Sequence, residues 1–300
     1  MSALGESDSR WVEQVVGQVV TEATTAAWGF QNRTEIVTLA GGDHVVVQRY
    51  RRSADAEYRL DVMGALRDAA AAVGIAIPKV LVFDLDADPA WIIFDALPGV
   101  PVPEVDGGLE GPRFPPLARA MGEMLSAFRE LPIEGFEIDQ SWADSAGLAA
   151  RAAEWAAALE VLDDPERAVV DGDLTRVSEL FRGRPAVLAH GDFSPVNVLS
   201  NGRSLTGLVD FESVRLADPL FDVAWWEWSV SFSPPEVLET AWPEFLDGAG
   251  VDANEPELLC RIRSLQLLRM LELLAGDSLD PSVQRIVARR LHTSLRRGAP

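Results

Sequence analysis

The feature that most constrains this chain is a set of short apolar runs with polar residues at their ends, in the second half of the sequence. Ala186–Ala189 and Val198–Leu199 lie on either side of polar residues, and a third run, Leu205–Val209, leads directly into Asp210. Short apolar runs bounded by turn residues predict β-strands. We interpret these runs as a pair of strands with acidic residues and an amide at the strand ends, which is where functional side chains usually lie.

The rest of the chain predicts an α+β fold in two parts. Apolar residues at helical spacing predict a leading helix over Ser9–Ala27, and residues 29–97 predict an antiparallel sheet with one inserted helix, Ala54–Val73. A stretch rich in Pro and Gly follows, and helices follow that stretch. We therefore predict an N-terminal unit of residues 1–97 and a mainly helical unit of residues 98–300 with one short strand pair.

The composition excludes several classes of protein. A net charge of -21 argues against a nucleic-acid partner, and no apolar run reaches the roughly 18 residues that a membrane span needs. The single cysteine, Cys260, rules out a disulfide framework or a cysteine metal cluster, and with the polar N-terminus it predicts a reducing, cytoplasmic setting. The excess of acid suits either a cationic ligand or solubility. Nothing in the sequence indicates an oligomeric state.

The polar residues of His190–Trp228, called the central segment below, have the chemistry of a magnesium site. Asp192 and Asn197 lie on one predicted loop, and Asp210 ends the next predicted strand. This spacing brings two carboxylates and an amide oxygen together, and such oxygen ligands suit an Mg²⁺ ion that also holds substrate phosphates. A carboxylate beside the metal, but not bound to it, can accept a proton from an attacking hydroxyl group.

The same residues resemble the motifs of a known family. His-Gly-Asp at 190–192, followed by Asn197, is similar to the catalytic loop of the aminoglycoside phosphotransferase family. Asp-Phe-Glu at 210–212 is similar to the second motif of that family, and Asp-Pro at 218–219 and Asp222 resemble its downstream pattern.

This resemblance covers most of the chain, because the order of elements agrees over residues 25–275. It implies a bilobal protein-kinase-like fold, with a small antiparallel-sheet N-lobe containing one main helix and a larger, mainly helical C-lobe. It also implies transfer of the γ-phosphate of ATP, with Mg²⁺, to a hydroxyl group of a small-molecule acceptor.

The resemblance also implies a role for each residue of the loop. Asp192 would be the general base that deprotonates the acceptor. Asn197 and Asp210 would hold the Mg²⁺, and His190 would support the loop. Asp222 would hydrogen-bond the backbone of the loop, with a substrate contact as the alternative.

Two further residues each have alternative roles. Glu212 would contact the substrate or the surroundings of the metal, or it would form a salt bridge. Ser194 would touch the γ-phosphate or cap a turn.

The nucleotide site follows from the same resemblance. Gly29–Arg33, including Asn32, is similar to the loop that covers the phosphates. Phe94–Leu97 is similar to the hinge, where backbone groups of Asp95 and Leu97 would contact adenine.

The third strand departs from the family pattern, because it should carry a cation for the α- and β-phosphates. The run of valines places Gln48 at that position, and Arg49 should face the other side of the strand because side chains alternate. Lys79, the only lysine, begins a later predicted strand and cannot substitute.

Several explanations fit this departure. A bulge shifts the register of the strand, so that Arg49 contacts the nucleotide, or Arg59 of the inserted helix supplies the charge, with Glu57 or else Asp61 as its acidic partner. Alternatively, Gln48 contacts the phosphates as a neutral donor, or the activity is weak or lost.

Aromatic and acidic residues near the end of the central segment are candidates for the acceptor site. Trp225, Trp226 and Glu227 would bind an amine-bearing ligand through cation–π contacts and charge, or they would pack between helices. We expect an aminoglycoside or similar amino sugar as the acceptor, with a macrolide or a metabolic alcohol such as choline or a sugar as the alternative. The alternative to an enzyme is a catalytically silent protein that binds a nucleotide.

Overall fold

The computed structural model describes residues 6–26, 32–133, 137–276 and 279–297. Its N-terminal part contains the strands β1 (Val20–Thr25), β2 (Arg33–Leu39), β3 (His44–Arg49), β4 (Val80–Asp84) and β5 (Trp91–Asp95). They form one antiparallel sheet in the order β1-β2-β3-β5-β4.

A helix covers each face of this sheet. α1 (Glu6–Val16) packs through Val12 against Val45 and Val47 of β3. α2 (Ser53–Ala72) lies on the other face, where Val46 belongs to the main core. Because side chains alternate along a strand, every second residue of β3 faces α2.

The prediction of one leading helix over Ser9–Ala27 is wrong. The helix ends at Val16, Gly17 takes a left-handed backbone with φ 75°, and residues 20–25 form β1, which pairs with β2. The valines of this region fit helical spacing, but its β-branched residues, three of them threonines in β1, favour a strand. Residue 27 lies outside the described part of the chain.

The C-terminal part is mainly helical. Its helices are α3 (Phe114–Arg129), α4 (Ser145–Ala158), α5 (Asp164–Leu180), α6 (Phe221–Val230), α7 (Pro235–Gly248), α8 (Leu258–Ala275) and α9 (Pro281–Arg297). Short strands lie among them: β6 (Val100–Pro101), β7 (Val187–Ala189), β8 (Val198–Ser200), β9 (Leu205–Leu208) and β10 (Arg215–Ala217).

These short strands differ from the single pair that the sequence predicts. β8 pairs with β6 and β9, whereas β7 pairs with β10 in a separate sheet. The sequence pattern does not predict β10, because its three residues begin with Arg215 and form no apolar run. The sequence pattern does not predict α6 either, because this helix is buried on most sides and so lacks an amphipathic pattern.

The α+β class is confirmed, since an antiparallel sheet with its helices precedes a mainly helical part. One buried core extends through both, from Phe94 to Phe114, Phe211 and Trp226. A boundary between residues 97 and 98 stays a prediction. Among the residues that the structure describes, none of the helices is both long and apolar enough to span a membrane.

The carboxylate of Glu272 connects α8 to Trp142 and to Arg215 of β10. It accepts hydrogen bonds from Trp142 Nε1 at 3.0 Å and Arg215 Nη1 at 2.9 Å, and it pairs with Arg269 on its own helix. Burial alone would raise the pKa of Glu272, but the charges of Arg269 and Arg215 outweigh burial and lower the pKa to about 2. The ionised carboxylate is therefore the form that stabilises the fold.

We predict that Glu272→Gln lowers the free energy of unfolding by about 3 kcal/mol near neutral pH, the value of a pKa depression of this size. The folded pKa lies below the ordinary value of 4.5, so the contribution is complete above that pH and is lost as the pH falls towards 2. Urea unfolding at about pH 7 and about pH 3 should show the difference between wild type and variant shrinking by roughly half.

Glu123→Gln is the control for this prediction, because Glu123 is 62% exposed on α3. It should change stability by less than about 1 kcal/mol at either pH. A loss for Glu272→Gln that is the same at both pH values contradicts the prediction.

Candidate active site

The loop after β7 begins with a turn that requires glycine. Gly191 has φ 84°, and a Cβ at this position would lie 1.8 Å from the backbone oxygen of Ser213. Asn197 then donates from Nδ2 to the backbone oxygen of Asp192 at 2.9 Å and to its Oδ2 at 2.8 Å. Because the amide nitrogen faces Asp192, the amide oxygen faces away from it and is suited to bind a cation.

Asp210 stands beside Asn197 because β8 and β9 pair. Val198 is the partner of Leu208, and Val209 donates its N–H to the backbone oxygen of Asn197 at 3.0 Å. Asp210 then leaves the strand with a left-handed φ of 69°, an uncommon conformation for a residue with a side chain. The pairing of the two strands thus places Asp210 close to Asn197, and the Asp210 side chain is 33% exposed.

Asp192 is a hydrogen-bonded carboxylate close to a second acid. Burial, and after it the charge of Asp210, raises the pKa of Asp192 to about 6. Opposing these effects, Trp225 donates from Nε1 to Asp192 Oδ1 at 2.5 Å, and Asn197 donates to the other oxygen. A carboxylate in these surroundings is suited to accept a proton near neutral pH.

Asn197 and Asp210 fit the donor set of a magnesium ion. One offers an amide oxygen and the other a carboxylate, and Mg²⁺ in phosphate-binding sites takes one or two protein carboxylates together with substrate phosphates and water. Within the described ranges, no group of three or more His, Cys, Asp and Glu side chains could hold a metal ion. An ion at this position would therefore take its remaining ligands from phosphate and water.

Asp222 and His190 fix the loop to its neighbours. Asp222 is buried and accepts the backbone N–H groups of His190 at 2.7 Å and Gly191 at 3.0 Å. His190 donates from Nε2 to the backbone oxygen of Val209 at 3.0 Å, and burial lowers its pKa to about 4. The ring is therefore neutral at pH 7 and serves as a hydrogen-bond donor. Ser194 begins the turn before Asn197 without a side-chain capping bond, which contradicts the capping alternative.

Glu212 is the point where three segments of the N-terminal part meet the C-terminal part. Its Oε1 accepts hydrogen bonds from Asn32 Nδ2 at 2.8 Å, Gln48 Nε2 at 3.0 Å and Arg59 Nη1 at 2.8 Å. Burial, and after it the charge of Asp210, raises the pKa of Glu212. Of the alternatives for Glu212, the structure contains the salt bridge.

Arg59 is the cation that α2 brings to this cluster. Its side chain is 5% exposed, and Nη1 lies 3.5 Å from Asp210 Oδ1 in addition to its contact with Glu212. The guanidinium group lies 4.9 Å from the ring centroid of Phe94. Glu57 is wrong as the acidic partner, because it lies on the exposed face of α2, two positions along the helix from Arg59.

Gln48 and Arg49 face opposite sides of β3. Arg49 pairs with Glu35 at 2.5 Å and lies 5.4 Å from the ring centroid of Trp11, on the α1 side, so its predicted contact with the nucleotide is wrong. Gln48 lies on the α2 side, where Tyr50 donates to its Oε1 at 2.8 Å. β2 and β3 pair without a register shift, which excludes the bulge alternative.

The other predicted nucleotide contacts lie around β5. Gly29 falls outside the described residues. Asp95 Oδ1 accepts the backbone N–H of Lys79 at 2.5 Å, so this carboxylate joins β5 to the start of β4. Leu97 packs so closely on Gly207 that a Cβ there would lie 2.4 Å from Leu97 Cδ1. Contact of the Asp95 and Leu97 backbone with adenine stays a prediction.

The structure separates the three residues predicted for the acceptor site. Trp226 is fully buried with its ring centroid 4.0 Å from that of Phe245, so its predicted substrate contact is wrong. Glu227 accepts a hydrogen bond from Gln266 of α8. Trp225 donates a hydrogen bond from its indole nitrogen to Asp192. In a helix that is apolar on all sides, the sequence does not indicate which of two adjacent tryptophans points into the core.

Sequence reasoning misses Arg269. Its Nη2 lies 3.5 Å from the backbone oxygen of Gly191, and its guanidinium lies 5.7 Å from the ring centroid of Trp225. The sequence does contain a signal, since Arg269 and Glu272 interrupt the apolar run 267–274. Charges are costly in such a run unless they are paired, as these two are.

Comparison with known proteins agrees with this geometry. A profile described as "Phosphotransferase enzyme family" (APH) matches residues 22–250. Aminoglycoside 3'-phosphotransferase of Streptomyces fradiae is 35% identical over 159 residues, which are 50% of this chain and 57% of that protein. The chain thus matches little more than half the length of that relative.

Solved structures resemble the whole chain. Macrolide 2'-phosphotransferase type I has a TM-score of 0.71 at 19% identity, covering 97% of this chain and 99% of that one. A thermostable mutant of aminoglycoside phosphotransferase APH(4)-Ia, in ternary complex with ADP and hygromycin B, has a TM-score of 0.68 at 18% identity, covering 98% and 99%. The bilobal kinase-like fold expected from the motifs is thereby confirmed.

We predict that Gly191→Ala displaces the loop and lowers the free energy of unfolding by at least about 2 kcal/mol, since the backbone is left-handed and the added Cβ meets Ser213. Gly183→Ala is the matched control, because Gly183 also has a left-handed φ of 73° but no atom within 4 Å of its Cβ position. It should cost about 1 kcal/mol from backbone strain alone. Equal losses in chemical denaturation contradict the close approach.

Proposed function

The chain belongs to the phosphotransferase enzyme family, and we propose that it transfers the γ-phosphate of ATP to a hydroxyl group of a small molecule, with Mg²⁺ as cofactor. One observation carries the proposal, namely that Asp192, Asn197 and Asp210 lie together around β8 and β9. A base and two oxygen ligands in this order are what phosphate transfer to a hydroxyl group requires.

Asp192 would act on the acceptor. Each of its oxygens accepts one hydrogen bond, Oδ1 from Trp225 and Oδ2 from Asn197, and a carboxylate oxygen has a further lone pair. A hydroxyl group donating to that lone pair would be oriented for attack on phosphorus. Its proton would pass to Asp192 as the new P–O bond forms and the bond to ADP breaks.

Asn197 Oδ1 and the Asp210 carboxylate would hold the Mg²⁺, which when bound offsets the negative charge of the phosphates. Asp210 has a left-handed backbone and directly follows Val209, whose N–H is hydrogen-bonded to the backbone oxygen of Asn197. Residues 1–97 would then form the nucleotide-binding lobe, with adenine against the backbone of Asp95 and Leu97, and residues 98–300 the lobe that carries the base.

Arg59 would replace the lysine that kinases carry on the third strand. It lies on the same side of the sheet as Gln48 and 3.5 Å from Asp210, and Glu212 serves as its acidic partner. The ion pair of other kinases joins a strand lysine to a helix glutamate. Here α2 would supply the cation, Arg59, and the acid would be Glu212, two residues after the proposed metal ligand Asp210.

The preferred acceptor is an aminoglycoside or a similar amino sugar. The net charge of -21 favours a cationic ligand, and the relative from Streptomyces fradiae bears the name of an aminoglycoside enzyme. A macrolide is the second candidate, because the fold is equally similar to that of a macrolide phosphotransferase.

We predict that Asp192→Ala lowers kcat for phosphate transfer at least about a hundredfold, because the acceptor loses its base. The acceptor is first identified by incubating wild type with Mg-ATP and a panel of aminoglycosides, macrolides and choline. The dissociation constant of the Mg-nucleotide, measured by calorimetry, should stay within about twofold, since Asp192 is not a proposed metal ligand.

Two outcomes contradict the proposal. Full turnover by Asp192→Ala removes Asp192 as the base. Binding of Mg-ATP by wild type without transfer to any acceptor or to water supports the catalytically silent alternative.

We predict that Arg59→Ala raises KM for ATP by about tenfold or more, the value of a lost hydrogen bond to a charged group. Adding Gln48→Lys in the same chain should recover most of the loss, because a lysine on β3 can reach Glu212 from the position that Gln48 occupies. Arg67→Ala, at an exposed position of α2, is the control and should leave KM unchanged. An unchanged KM in Arg59→Ala removes Arg59 as the phosphate cation.

A further inference from the structure

The indole of Trp225 is hydrogen-bonded to the carboxylate that the proposed function uses as its base. Trp225 Nε1 lies 2.5 Å from Asp192 Oδ1, and hydrogen bonds to an ionised carboxylate are shorter and stronger than those between neutral groups. The two residues are far apart in sequence and meet because α6 packs beside the loop that follows β7. No motif of the loop specifies this contact.

The ring of Trp225 is itself held by its neighbours. Trp228, one turn along α6, stacks on it with a centroid distance of 4.3 Å and an angle of 8° between the rings. The guanidinium group of Arg269 lies 5.7 Å from the ring centroid, and the pairing of Arg269 with Glu272 holds that group in turn. Trp225 is 7% exposed, so little of its ring is available to an acceptor molecule.

The two donors to Asp192 act on different atoms. Asn197 donates to Oδ2 and Trp225 to Oδ1, so the plane of the carboxylate is fixed at both ends. With Asn197 alone, the group could turn about its Cβ–Cγ bond, since that torsion is soft in aspartate. With both donors in place, the lone pairs of Asp192 that are not hydrogen-bonded keep a fixed direction.

We propose that Trp225 is a positioning residue for Asp192, whose indole N–H holds the carboxylate in the orientation that receives the acceptor hydroxyl group. This inference rests on the proposed function, because it assigns to Asp192 the role of base. It replaces the sequence-based expectation that Trp225 binds an amine-bearing acceptor through a cation–π contact or packs between helices. The effect belongs to the chemical step, since a misoriented base leaves nucleotide and acceptor bound but unreacted.

The test is Trp225→Phe, which removes the N–H and keeps an aromatic ring against Trp228. Trp226→Phe is the matched control, because it makes the same change at the next residue of α6, where the indole nitrogen has no hydrogen-bond partner. We expect kcat to fall about tenfold to a hundredfold in Trp225→Phe, the value of one hydrogen bond to a charged group. KM for ATP and for the acceptor should stay within about twofold, and Trp226→Phe should keep kcat.

The division between kcat and KM decides the role. A raised KM for the acceptor with unchanged kcat makes Trp225 a substrate contact and overturns the proposal. An unchanged kcat and KM overturns it as well. An equal fall of kcat in Trp226→Phe also overturns it, because the effect would then follow from repacking of α6.

A readout without turnover separates this inference from the proposed function. In ¹⁵N-labelled protein, the indole N–H signal of Trp225 is the one that disappears in Trp225→Phe. Asp192→Ala should move this signal upfield, because a strong acceptor is lost, and should leave the signal of Trp226 in place. A Trp225 signal that does not respond to Asp192→Ala overturns the inference even if phosphate transfer is established. A signal that responds while wild type transfers no phosphate retains the contact and removes the catalytic role.

Discussion

The arrangement of the site depends on one buried ion pair, that of Arg59 with Glu212. Removing a guanidinium group and a carboxylate from water is costly unless hydrogen bonds compensate, and here Asn32 and Gln48 donate to Glu212 Oε1 in addition to Arg59. The donors come from the residue before β2, from β3 and from α2, and the acceptor comes from the turn after β9. The pair thus fixes how the sheet and its helix meet the segment that carries Asp210.

The backbone has a left-handed conformation at two positions beside the proposed catalytic and metal-binding residues. Asp210 and Gly191 both have a left-handed φ. Val209, which precedes Asp210, donates its N–H to Asn197, and the N–H of Gly191 is donated to Asp222. Glycine adopts this conformation freely, so the strain lies at Asp210, where it persists only because the surrounding structure over-determines it. The buried acid of α6 and the neutral His190 are therefore as necessary to the geometry as the residues that face the phosphates.

Sequence alone predicts the parts of this site that are close in the chain. The spacing of Asp192, Asn197 and Asp210 suffices because short strands return the chain to one place. Helical period likewise predicts Arg59 on the buried face of α2, whereas the prediction of Glu57 as its partner ignores that the same period places Glu57 on the exposed face. Contacts between distant segments are different: nothing local marks Glu212 as the partner of Arg59, or Trp225 as the partner of Asp192. The leading helix was predicted too long because valines at helical spacing also suit a strand.

A crystal structure with Mg²⁺ and a non-hydrolysable ATP analogue is the most direct test of the account. It should show the metal bound by Asn197 Oδ1 and Asp210, a guanidinium nitrogen of Arg59 within hydrogen-bond distance of a phosphate oxygen, and Asp192 facing the γ-phosphate without binding the metal. Phosphates held away from Arg59, or a metal bound by Asp192 in place of Asn197 and Asp210, would contradict it.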